Sequence, residues 1–191
     1  MPGATVPRVS PDPEDMLAQI DAATRRLLET VRAFTDEDVR APSLLPGWTR
    51  GHVLAHLAGG AGAIRNLMEG VRTGVPGVAY ASQEARDEAI EAGARRDVGS
   101  LVADVTEAAE RFRKSATSMP PDGWEREVRV LTGAPFPAAQ LLERRLVELV
   151  LHHTDLDAGY TVADWPRFFL DLELGEPMRT QREERVVAGS G

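Results

Sequence analysis

No cysteine occurs among the 191 residues, which removes disulfides, thiolate metal ligands and any sulfur nucleophile carried by the protein itself. Thiol chemistry on this chain would need a thiol brought in from outside. Positive charge is also short: 22 Lys and Arg stand against 30 Asp and Glu, a net charge of −8. Phosphate recognition needs a concentrated basic surface, so neither nucleic acid nor an anionic membrane is an expected partner. No apolar run approaches the roughly 20 residues that span a bilayer. The N-terminus lacks the continuous apolar core of a secretory signal, and a cytoplasmic protein is the expectation.

What remains is an ordinary globular composition, 42% hydrophobic and 27% charged. This length suits one domain with a substantial core better than two. Residues 1–11 hold three prolines without apolar periodicity and read as a flexible arm. Residues 12–175 read as one helical domain, and residues 176–191 as a charged, disordered tail.

Within that domain, Asp12 can cap a helix that Pro13 opens, with Glu14 and Asp15 at the positive end of its dipole. Leu17, Ile20, Leu27, Val31 and Phe34 follow at helical spacing. Residues 35–48, with Pro42, Pro46 and Gly47, read as a loop. Thr49 is the expected N-cap of a second helix, whose apolar face carries Val53, Leu57, Ile64, Leu67 and Val71 with His56 at its edge. Gly59, Gly60 and Gly62 weaken this helix but admit a close neighbour or a ligand. Residues 82–96 and 98–119 are helical, as one kinked helix or two, with the break expected near Gly99. The acidic run at 84–91 reads as a solvated face. A stop at Pro120, Pro121 and Gly123 precedes a short extended segment over 124–130, a turn over 131–137 and a last long helix over 137–158. Four main helices with one long crossover predict an all-α antiparallel four-helix bundle.

The last helix carries an unusual stripe. Arg145, Glu148, His152 and Asp155 share a face with Leu141, flanked by Leu142, Leu146, Leu149 and Leu156 on one side and Val147 and Leu151 on the other. Such a band belongs against the bundle interior, where an unpaired carboxylate costs several kcal/mol. Glu148 and His152, four residues apart, can converge on one point, and His56 from the facing helix would complete a three-ligand site for a divalent cation. Asp155 and Arg145 are the candidate catalytic residues, the first to orient a ligand and the second to steady an anionic group. Simpler roles are open for the same residues. Glu148 and His152 could make only a surface hydrogen bond, and His52 with His56 is a competing pair. Arg145 could simply pair with Glu148 or Glu143. His153 reads as a core histidine, and Trp48 as a packing anchor or a substrate contact.

Leu45, Pro46, Gly47, Trp48 and Thr49, followed by Val53, His56, Leu57 and Ala58, pair with Glu148, His152, His153, Asp155 and Leu156 downstream. Together they resemble the mycothiol-dependent maleylpyruvate isomerase family of the DinB-like superfamily. The resemblance implies an up-down-down-up bundle with a long crossover and a zinc on His56, Glu148 and His152. It also implies mycothiol as thiol co-substrate, acting on an electrophilic small molecule in a monomer or homodimer. The family's isomerases carry a further C-terminal domain, and this chain ends soon after the bundle, so S-transfer is the expected variant. Metal-assisted hydrolysis and non-catalytic binding of a small ligand are the alternatives, and nickel, iron or manganese could replace zinc.

Overall fold

A computed structural model describes residues 11–130 and 134–189. The arm expected at residues 1–11 lies outside the described residues apart from Pro11, as do the first three residues of the turn expected at 131–137. The described residues form helices α1 (Pro13–Val31), α2 (Asp36–Arg40), α3 (Arg50–Thr73), α4 (Gln83–Ala94), α5 (Val98–Thr117), α6 (Gln140–Asp155), α7 (Arg167–Asp171) and α8 (Met178–Ala188). None is long and apolar enough to cross a membrane.

Local chemistry accounts for where the helices start. Asp12 accepts from the Glu14 backbone N–H, and Pro13 occupies the first position of α1. Thr49 caps α3, and Asp97 caps α5 by accepting from the Ser100 N–H. That second cap is why residues 82–119 form two helices, breaking at 95–97 rather than at Gly99. The loop expected over 35–48 gains a single helical turn, α2, from the Thr35–Asp38 capping box. Within the extended segment expected over 124–130, Trp124 and Glu125 end a 3-10 turn (Pro121–Glu125), and strand β1 (Glu127–Val128) follows, paired antiparallel with β2 (Phe136–Pro137).

Helices α1, α3, α5 and α6 form the antiparallel bundle: α1 and α3 each lie against both α5 and α6. Residues 74–97, including α4, make the long crossover of an up-down-down-up topology. The core is apolar, with Leu54, Leu57, Leu101, Val105, Leu142 and Leu146 all essentially buried. At about 1.5–3 kcal/mol for each fully buried side chain, that core is the main stabilising term.

Two glycines seat α4 on α3. A Cβ on Gly51 would stand 2.8 Å from the Ala94 carbonyl oxygen, and one on Gly93 would stand 2.8 Å from the Ala55 Cβ. Gly51→Val should therefore push α4 away and cost about 1–3 kcal/mol, read as a lowered Tm. An unchanged Tm would show that the crossing is not so tight.

The C-terminal segment differs from its sequence reading. Instead of a disordered tail it forms α8, with Met178 buried. Arg182 Nη1 donates to the carbonyl oxygens of Phe169 and Leu172, each at 2.8 Å, so charge satisfies the unpaired carbonyls at the end of α7. A charge-rich helix held by its own arginines lacks the apolar stripe that marks packed helices in a sequence.

Candidate metal centre

Helix α3 delivers His56 and α6 delivers Glu148 and His152, one turn apart on the face that meets α3. His56 Nε2 lies 2.6 Å from Glu148 Oε2, and His152 Nε2 lies 3.3 Å from the same oxygen. The imidazole rings stand nearly perpendicular, with centroids 4.7 Å apart. One ligand atom from each of the three lies within 4.8 Å of the other two, and no other group of this kind occurs among the described residues. Donors about 2.1 Å from a tetrahedral zinc lie roughly 3.4 Å apart; His152 Nε2 and Glu148 Oε2 already stand near that spacing, and the closer His56–Glu148 pair would open by roughly 0.8 Å to admit a divalent cation.

The electrostatics are those of ligands held by one another. Burial raises the Glu148 pKa, but hydrogen bonds from His152 and His56 outweigh it and hold the carboxyl well below its usual range. For His152, burial favours the neutral ring, while bonds to Asp155 and Glu148 win and lift its pKa to about 9. His152 Nδ1 lies 2.8 Å from Asp155 Oδ2, the imidazole–carboxylate contact that fixes ring plane and tautomer in metal sites. His56 Nδ1 instead faces Arg86 Nη2 at 3.2 Å. A guanidinium only donates, so Nδ1 accepts and the ring proton sits on Nε2, aimed at Glu148; ligation through Nε2 requires that proton to leave and Arg86 to turn aside so that Nδ1 can carry one.

The remaining sequence candidates fall in distinct places. His52 caps its own helix, with Nδ1 accepting from the Thr49 N–H at 3.1 Å and Nε2 facing Glu91 at 3.2 Å. The competing His52–His56 arrangement is therefore not formed. Trp48 packs its ring 5.6 Å from His56 and 6.1 Å from His52, between centroids. His153 is a core histidine, 2.8 Å from the Thr30 hydroxyl and stacked on Tyr160. Burial first, then the nearby Arg26 cation, lowers its pKa to about 4, so the ring is neutral at pH 7. Arg145 does not pair at contact distance with Glu148. It is 1% exposed, Nη1 donates to the Leu57 carbonyl at 2.9 Å, and Nε and Nη2 have no hydrogen-bond partner. Burial lowers its pKa to about 10, against the opposing pull of Glu148 and then Tyr80.

A cavity of about 300 Å³ opens beside His56 and Glu148. Ile64, Leu67, Val147 and Met178 supply apolar surface, while Tyr80, Arg86, Arg144 and Gln181 bring polar groups. Of the three α3 glycines read as admitting a close neighbour or a ligand, Gly60 lines the cavity with open space where a Cβ would stand, and Gly59 leaves room for the Tyr80 hydroxyl. Sequence reasoning missed Arg86, assigned to a solvated helix, and everything from α8. The sequence signal for α8 is weak, since Met178 is its one buried residue and the other contacts are made by charged side chains.

Two solved structures share this fold at a TM-score of 0.80, each alignment covering 84% of this chain and 67% of the other. One is the mycothiol-dependent maleylpyruvate isomerase, 31% identical. The second is a mutant of that isomerase with a histidine replaced by alanine, 30% identical. No curated protein matches the chain. Residues 20–157, which contain all three converging donors, match the family described as the mycothiol maleylpyruvate isomerase N-terminal domain, and the chain belongs to that family of enzymes.

Proposed function

We propose that the chain holds a divalent cation, zinc by the chemistry of its donors, on His56, Glu148 and His152. With it the protein adds a low-molecular-weight thiol to an electrophilic small molecule in the adjoining cavity. The observation that carries this reading is the convergence of two imidazoles and one carboxylate from two helices, with His56 and Glu148 lining that cavity. Two nitrogens and one oxygen leave a tetrahedral cation one open position. When bound, such a cation lowers the pKa of a thiol that reaches it.

The other roles belong to the chain. Asp155 holds the His152 ring through Nδ1, and Arg145 supplies a buried positive charge near Glu148. Apolar side chains from α3 and α6 line the cavity beside the donors. Mycothiol is the thiol supported by the names of the solved relatives and by a chain without sulfur nucleophiles of its own. Isomerisation and S-transfer both begin by forming one carbon–sulfur bond. In isomerisation that bond breaks again after rotation and returns the thiol, whereas in transfer a leaving group departs instead. The relatives' activity supports reversible addition. A cytoplasmic location and a monomer or homodimer go with this reading.

The test compares zinc-loaded and chelator-treated protein, with and without mycothiol, against maleylpyruvate and against an alkyl halide. Turnover of at least one substrate should need both metal and thiol and should return when zinc is restored. Turnover that ignores the thiol would replace this reading with metal-assisted hydrolysis.

A further inference from the structure

Arg185 stands on α8, 30 residues beyond Asp155, yet its guanidinium reaches that carboxylate, the partner of His152. Nε donates to Asp155 Oδ1 at 2.9 Å and Nη2 to Oδ2 at 2.8 Å. The same Oδ2 faces His152 Nδ1 at 2.8 Å. Asp155 is almost fully enclosed, its side chain 3% exposed, and Arg185 covers it with 17% of its own side chain in solvent. A two-point guanidinium grip fixes the plane of a carboxylate as well as its place. Once that plane is fixed, the direction in which His152 presents Nε2 is fixed too.

The same helix also bears on the cavity. Pro177, Met178 and Gln181 line it together with His56 and Glu148. Met178 is the one buried residue within α8, so an apolar face does little to hold this wall in place. Polar anchors do that work: Arg182 ties the helix to α7, and Arg185 ties it to α6 beside the donors.

We propose that Arg185 is a positioning residue: gripping Asp155, it sets the orientation of His152 and docks α8 as the wall that closes the cavity beside the donor cluster. The proposal rests on the metal-site reading above, and its test separates the two.

Zinc affinity is measured by competition with a chromophoric chelator for wild type, Arg185→Met, Arg185→Lys, His152→Ala and Arg179→Met. The last is a control that removes a surface partner of Glu176 on the same helix. Amide hydrogen exchange over residues 178–188 is followed in the same proteins without metal. Arg185→Met should bind zinc about 10- to 100-fold more weakly, the usual effect of removing an outer partner of a ligand, and should exchange faster in α8. Arg185→Lys should fall between, since an ammonium keeps the charge but loses the fork. Arg179→Met should match wild type.

Wild-type zinc affinity in Arg185→Met, with or without faster exchange, overturns the positioning role while leaving the metal site standing. Weaker zinc binding with unchanged exchange would equally overturn the docking role. If wild type itself fails to hold zinc, or His152→Ala holds it as tightly, the metal-site reading falls and takes the proposal with it.

Discussion

Replacing Glu148 with Gln should lower zinc affinity by more than about 100-fold, beyond the 10- to 100-fold effect typical of outer partners. The amide has nearly the same volume and keeps one oxygen in place, so packing on α6 changes little. What it lacks is charge. Glu148 is the single anion among the three donors, and both imidazoles face its Oε2, at 2.6 and 3.3 Å. Without it, two neutral nitrogens and an amide oxygen must hold a dication in a partly buried place, where charge without compensation is costly. Elemental analysis after dialysis reads the loss directly, and His56→Ala should behave alike because it removes the donor on the opposite helix. Thiol-dependent turnover should disappear in step with the metal. Full zinc occupancy in Glu148→Gln after dialysis would mean that the cluster is a hydrogen-bonded triad and that the cation sits elsewhere.

That expectation depends on residues 92 apart in sequence, His56 and Glu148, meeting in space. The meeting was legible because a polar stripe between two aliphatic bands must turn inward with them, and buried charge needs a partner there. Leu142, Leu146 and Leu149 on one side, with Val147 and Leu151 on the other, are all buried, and the stripe between them faces α3. The four bundle helices were legible for a related reason, since each carries its own apolar period. Arg86 was not. It belongs to α4, a helix whose buried residues are only Ile90 and Ala94, and no periodicity says which of its charges turns inward. Arg185 is hidden for the same reason, since a dense run of charges reads as a solvated, disordered tail. Arg182 and Arg185 spend theirs on carbonyl and carboxylate groups of other elements. Long-range pairing of a surface-type side chain leaves little trace in local pattern, whereas apolar burial leaves a strong one.

Phe112→Ala should cost about 3–5 kcal/mol of stability, at the upper end of that range for a reason specific to its neighbour. Phe112 is 1% exposed on α5, and truncating a large ring there opens a void that the packed helices can only partly refill. Its ring also lies 5.9 Å from the centre of the Arg145 guanidinium. Arg145 has one hydrogen bond, to the Leu57 carbonyl, while Nε and Nη2 find none. A cation in that position gains from an aromatic face, by an amount on the order of 1 kcal/mol, and alanine removes that face together with the apolar area. Phe112→Leu keeps most of the volume but not the π-system, so its smaller cost reports mainly the lost aromatic face, and the gap between the two variants carries the packing share through the difference in cavity size. Urea unfolding with the m-value checked for constancy measures both. A cost under about 2 kcal/mol for Phe112→Ala would show that water enters the void and solvates Arg145, and zinc affinity would then be expected to shift as well, because the buried charge near Glu148 would have changed its surroundings.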